Sequence, residues 1–69
     1  MVNKFGERVK ELRLEHGLTQ EQLAKELGYK KNSVCNWEIR GKEPDFDMLI
    51  RLALMFNVST DYLLGLVDD

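Results

Sequence analysis

Residues 19–37 constrain this chain more than any other stretch. They read Thr-Gln-Glu-Gln-Leu-Ala-Lys-Glu-Leu-Gly-Tyr-Lys-Lys-Asn-Ser-Val-Cys-Asn-Trp. Thr19 is a good helix N-cap, and Gln22 three residues later completes a capping box. Leu23, Ala24 and Leu27 form the inner face of that helix, and Gly28 stops it. A second short helix is expected from near Lys31 to about Ile39. Val34 and Trp37, spaced i, i+3, face its interior side.

The remaining segments are also helical. Phe5, Val9 and Leu12 recur at i, i+4, i+7, which predicts a first helix over residues 4–15 that ends at Gly17. Gly41 and Pro44 bound a polar loop. Asp45 caps a fourth helix that runs through Phe56, and Leu49, Leu52, Ala53 and Phe56 are its apolar stripe. Ser59 caps a last short helix holding Tyr62, Leu63 and Leu64. Nothing reads as a strand, because the β-branched content is low. The prediction is an all-α bundle of five helices in one domain spanning 1–69.

Size and composition narrow the function. A 69-residue chain buries only about 60% of its unfolded surface, which implies a stability of a few kcal/mol. The single cysteine, Cys35, excludes an internal disulfide, and no Cys/His cluster suggests zinc. The start, Met-Val-Asn-Lys-Phe, lacks the apolar run of a signal peptide. No run approaches the roughly 18 apolar residues of a membrane span. A soluble, cytoplasmic protein is expected. There is no nucleophile–base constellation, phosphate-cradling glycine loop or metal cluster, so an enzyme is not expected, nor any cofactor or small-molecule ligand.

The formal net charge of −2 argues at first against a polyanionic partner. Its distribution argues otherwise. Residues 1–29 are neutral overall. Residues 30–42 hold Lys30, Lys31, Arg40 and Lys42 against Glu38, a net of +3. Residues 43–69 hold Arg51 against six acids, a net of −5. Beyond a Debye length of about 8 Å charges are largely screened, so a phosphate backbone would feel the local patch.

Two short helices around a glycine turn, with the basic patch beginning on the second, are the sequence form of a helix-turn-helix. That device places its second helix in the major groove of double-stranded DNA. Opposite Val34 and Trp37 project Lys31, Asn32 and Asn36. Lysine suits guanine O6 and N7, and asparagine suits adenine N6 and N7. Ser33 lies beside them, either touching DNA or giving the two helices room to approach. Gln20 opens the earlier helix, where free backbone N–H groups attract phosphate. Lys30, Arg40 and Lys42 are phosphate candidates by charge and place. Trp37 reads as a core anchor. Cys35 falls on the exposed flank of the second helix, where a lone thiol is ordinarily incidental. His16 precedes Gly17 at a helix end that favours a cationic ring.

The chain resembles the phage-repressor-like helix-turn-helix family, the Xre or Cro/C1 type. The residues that carry the resemblance are Leu18-Thr19-Gln20-Glu21-Gln22-Leu23-Ala24, Gly28, Ser33-Val34, Trp37-Glu38, Pro44-Asp45, Leu49, Leu52-Ala53 and the run from Phe56 to Gly65. Together they span roughly residues 4–65. The resemblance implies a compact five-helix bundle, a bacterial or phage origin and a DNA-binding repressor. It also implies base reading by Lys31, Asn32 and Asn36, a phosphate contact at Gln20, and a structural pair of Arg13 with Glu38. One departure is visible. Family members carry glycine two residues after the Trp-Glu pair, whereas here Arg40 stands there and Gly41 follows. The third helix is therefore expected to run a residue longer.

The fourth helix is apolar nearly all round, and Leu54 stands where relatives often carry a polar residue. Leu54, Met55, Leu66 and Val67 are expected to form an exposed apolar patch. A two-fold homodimer through that patch would set two reading helices about 34 Å apart on a palindromic operator. The competing reading is a protein-interaction module, antitoxin-like or an adaptor, which would have no need of the basic 30–42 segment. Residues 66–69, Leu-Val-Asp-Asp, carry no pattern that continues a helix.

Overall fold

The computed structural model describes residues 4–68, so Met1, Val2, Asn3 and Asp69 of the expected first and last segments lie outside the described residues. Five helices follow in order: α1 (Phe5–Glu15), α2 (Gln20–Glu26), α3 (Ser33–Ile39), α4 (Phe46–Phe56) and α5 (Thr60–Leu64). No strand occurs among the described residues. The all-α, five-helix architecture is the one expected from the sequence.

Three helices start on side-chain caps. Thr19 Oγ1 accepts from Gln22 N at 3.0 Å while Gln22 Oε1 accepts from Thr19 N at 2.8 Å. Asp45 Oδ1 accepts from Met48 N at 2.8 Å, and Ser59 Oγ from Tyr62 N at 3.0 Å. Each satisfies an N–H that the helix itself leaves unpaired. α3 has no such cap. A turn precedes it, in which Ser33 N donates to Lys30 O at 3.0 Å, and the helix begins two residues after Lys31.

The helix ends follow one scheme with one exception. Residues in the left-handed region close α1, α2, α4 and α5: Gly17, Gly28, Asn57 and Gly65. In each case the next N–H reaches back five residues, Leu18 to Arg13, Tyr29 to Ala24, Val58 to Ala53 and Leu66 to Asp61, all at 2.9–3.0 Å. α3 also ends on a left-handed glycine, Gly41, but there Lys42 N reaches back six residues to Asn36 O at 3.1 Å. Asn36 O accepts from Arg40 N as well, at 3.1 Å. α3 itself ends at Ile39, so it does not run longer; Arg40 lies in a wider closing turn instead.

Phe5, Val9, Leu12, Leu23, Ala24, Leu27, Val34, Trp37, Met48, Leu52, Ala53, Phe56 and Leu63 form one buried core. Each large member contributes on the order of 1.5–3 kcal/mol by leaving water. α1 packs on α3 and α5, α2 on α3, and α4 on α5. Met48 takes an inner position on α4, whereas Leu49 is only half-buried. His16 closes one end, its Nδ1 2.8 Å from Leu12 O and its ring edge-on to Phe56 at 4.9 Å.

Candidate nucleic-acid interface

α3 has seven residues and buries only Val34 and Trp37. Trp37 meets the ring of Phe5 edge-on at 5.7 Å and stands 6.1 Å from Tyr29. α1 approaches so closely that a Cβ on Gly6 would collide with Trp37 O. Glycine is needed there for want of space, not for its backbone angles.

The orientation of α3 is completed by charge. Arg13 Nε donates to Glu38 Oε2 at 2.8 Å and Arg13 Nη2 to Glu38 Oε1 at 3.0 Å, a two-pronged pair joining α1 to α3. Arg13 Nη1 donates to Leu18 O at 2.9 Å, and Gln20 Nε2 donates to Glu38 Oε1 at 3.1 Å. The two charged side chains are 9% and 2% exposed. Among the described residues no buried side-chain nitrogen or oxygen lacks a partner. The hydrogen bonds to Glu38 hold the Arg13 guanidinium above its ordinary pKa. One network thus fixes the end of α1, the loop before α2, the first residue of α2 and the end of α3. Local pattern could not reveal that Gln20 belongs to it, because its partner lies 18 residues away. Its amide carries a second N–H that remains available to a phosphate.

With Val34 and Trp37 inward, Asn32, Asn36 and Ile39 line the opposite side at i, i+4, i+7. Asn32 is exposed, and Asn36 and Ser33 are half-buried. Ile39 is 71% exposed on the same line, and the sequence argument passed over it. Its angle around the helix places it outside. Lys31 stands on the turn before α3, its Nζ 3.9 Å from Glu21 Oε1 on α2. Both side chains are largely exposed, so this pair is weak. Lys30, Arg40 and Lys42 are exposed at the two ends of α3. Lys42 donates its backbone N–H to Asn36 O at 3.1 Å, and its side chain is exposed. Cys35 is half-buried and less open than expected of an exposed flank.

Away from this face, Leu54 and Leu66 are well exposed, Met55 and Val67 less so. Leu54 and Met55 point about 100° apart around α4. Leu66 and Val67 follow α5, where Asp68 reaches Arg8 on α1 at 3.5 Å and Arg8 lies 4.2 Å over the Tyr62 ring. No group of described residues could hold a metal ion, and no described helix is long and apolar enough to cross a membrane.

Residues 9–63 match the family described as Helix-turn-helix, a span containing α2, its turn and α3. The chain belongs to the helix-turn-helix family of the Xre, or Cro/C1, type. Its relatives include an uncharacterized HTH-type transcriptional regulator of Bacillus subtilis, YobD, 46% identical over 94% of this chain and 58% of that protein. The HTH-type transcriptional regulator ImmR of the same organism is 45% identical over 88% of this chain and 48% of its own length. A crystal structure of a transcriptional regulator from Listeria innocua superposes with a TM-score of 0.86 at 35% identity, covering all of this chain and 64% of that one. The chain thus spans about half the length of these curated relatives. Helix-turn-helix regulators of this family are DNA-binding proteins and not enzymes.

Proposed function

We propose that this chain is the sequence-specific DNA-binding module of a cytoplasmic transcriptional regulator. It acts as a repressor: a homodimer on a palindromic operator inserts α3 of each copy into the major groove and occludes the polymerase. The observation that carries the reading is the contrast between the two sides of α3. One side is immobilised by Trp37 and the Arg13–Glu38–Gln20 network; the other presents Asn32, Asn36 and Ile39. A reading helix needs both, because base hydrogen bonds discriminate only when the donor is held in register. Lys31, beside Asn32, and Ser33 complete the reading end of the helix. Lys30, Arg40, Lys42 and the spare N–H of Gln20 address the phosphates on either side. Size supports the dimer. The molecule measures 27 × 23 × 21 Å, too short for one copy to reach successive major-groove sites about 34 Å apart.

The test is selection of bound duplexes from a random pool, followed by salt titration of the winner. The expected product is an inverted repeat with half-sites about 10 base pairs apart and a steep salt dependence. Asn36→Ala should relax preference at one base position by about 1–3 kcal/mol while the protein stays folded. Lys42→Ala should weaken all sequences alike and lower the salt slope by about one. A pool with no enrichment at any salt concentration would move the assignment to a protein-binding module.

A further inference from the structure

α4 carries a second apolar stripe that the core does not use. Phe46, Ile50 and Leu54 are 84%, 49% and 77% exposed, and they recur at i, i+4, i+8. They form one ridge on the side of the helix away from Met48, Leu52 and Phe56. Beside Phe46 opens a largely apolar hollow of about 150 Å³, lined also by Phe5, Glu43, Pro44, Leu49 and Leu64. Three large apolar side chains in a row on a small protein mark a surface that is covered in use.

We infer that a second copy of this chain covers it, with the two α4 helices packed antiparallel across a two-fold axis at Ile50. This rests on the dimeric reading above and names its seam. The charges select this occupant. Asp47 and Arg51 lie on one flank of the ridge, next to each other around α4. A two-fold axis at Ile50 brings that flank against its own copy. Asp47 then stands across from Arg51 of the second copy, offset by about 3 Å along the helix, and the reverse contact repeats it. In the same register Phe46 faces the second copy's Leu54, which comes against the rim of the hollow. The pairing answers a specific difficulty. Residues 43–69 carry a net charge of −5, so two copies meeting there repel each other unless opposite charges are matched at the seam. Of the four apolar residues proposed from the sequence for self-association, only Leu54 lies on this ridge. Packing of two such i±4 ridges favours a crossing angle near −50°.

The test uses the whole chain with Cys35→Ser. Sedimentation equilibrium is compared for that protein and for Ile50→Glu, Asp47→Arg, Arg51→Asp and the double exchange, each checked for folding by circular dichroism. Ile50→Glu should raise the dimer dissociation constant at least about thirtyfold. Each single charge change should raise it roughly tenfold, and the double exchange should restore most of the loss. Ile50→Cys in the same background should form a disulfide-linked dimer on mild oxidation. A chain that is monomeric at every concentration overturns the inference. So does a dimer indifferent to Ile50→Glu, or a double exchange no better than its parents. Binding to a duplex with one half-site is measured in parallel. Its absence in every variant would count against the DNA-binding assignment, whereas half-site binding with an unaltered dimer would count against this seam alone.

Discussion

α3 and α4 meet the same need, a short helix held in place, by opposite means. α3 buries two apolar residues and takes the rest of its orientation from a buried carboxylate, a guanidinium and an amide. α4 buries Met48, Leu52, Ala53 and Phe56 and still shows Phe46, Ile50 and Leu54 to solvent. Hydrophobic contact is non-directional and fixes a helix to a surface more firmly than it fixes its rotation. Hydrogen bonds to a buried charge fix rotation, because a small turn leaves a donor or acceptor unpaired. Under the proposed function, the helix whose outer face must be presented in one register has the polar lock. Under the proposed dimer, the helix whose outer face need only be sticky has the apolar surplus.

The sharpest way to break that contrast is Arg13→Ala. It strands the Glu38 carboxylate, 2% exposed, with only Gln20 as a hydrogen-bond partner among the network's side chains. A loss of about 3 kcal/mol is expected, read as a lower urea midpoint with an unchanged slope. For a protein this small that is most of its stability. Replacing both partners by apolar residues of similar volume, Arg13→Met with Glu38→Leu, should recover much of the stability. It should not recover sequence preference, because the rotational lock is gone. A double variant that regained both would show that α3 is oriented by packing alone.

Gly6→Ala comes next. Alanine is the better helix former by about 1 kcal/mol. Its methyl would meet Trp37 O, a backbone atom that cannot swing aside as a side-chain end can. Overpacking of this kind costs about 1–3 kcal/mol. The net expectation is destabilisation, with a change in the near-ultraviolet signal of Trp37 as α1 and α3 part. A stabilised Gly6→Ala protein would mean that the two helices approach less closely than described.

How much of this was legible in the sequence follows the range of the interaction involved. The caps at Thr19, Asp45 and Ser59 act over three residues, and the left-handed glycines at 17, 28 and 65 act over five; all could be read from their neighbours. The start of α3 was read two residues early, because Lys31 and Asn32 occupy a turn with no side-chain cap to mark the boundary. Arg13–Glu38 spans 25 residues and became visible only through resemblance to a family. The outward faces of Phe46 and Ile39 were hidden for another reason. Which arc of a helix is covered depends on where its neighbours stand, and an apolar residue near an apolar stripe is indistinguishable from the stripe until they are placed.

Ile39 also supplies the smallest effect and the finest test of the comparison. It is apolar and 71% exposed like the α4 ridge, yet it lies in line with Asn32 and Asn36 on the proposed reading helix. If the two helices differ in task, Ile39 serves DNA and not stability. Ile39→Ala should therefore leave the unfolding midpoint within about 0.5 kcal/mol, as surface substitutions do. The thymine C5-methyl is the one apolar group at base edges in the major groove, and an aliphatic side chain is its natural contact. Burying one such group contributes about 0.8 kcal/mol, or roughly fourfold in affinity. Replacing the thymines of the selected operator by uracil one at a time removes that methyl and nothing else. The unaltered protein should lose affinity at one position where Ile39→Ala does not. Identical uracil profiles for the two proteins would end the reading line at Asn36.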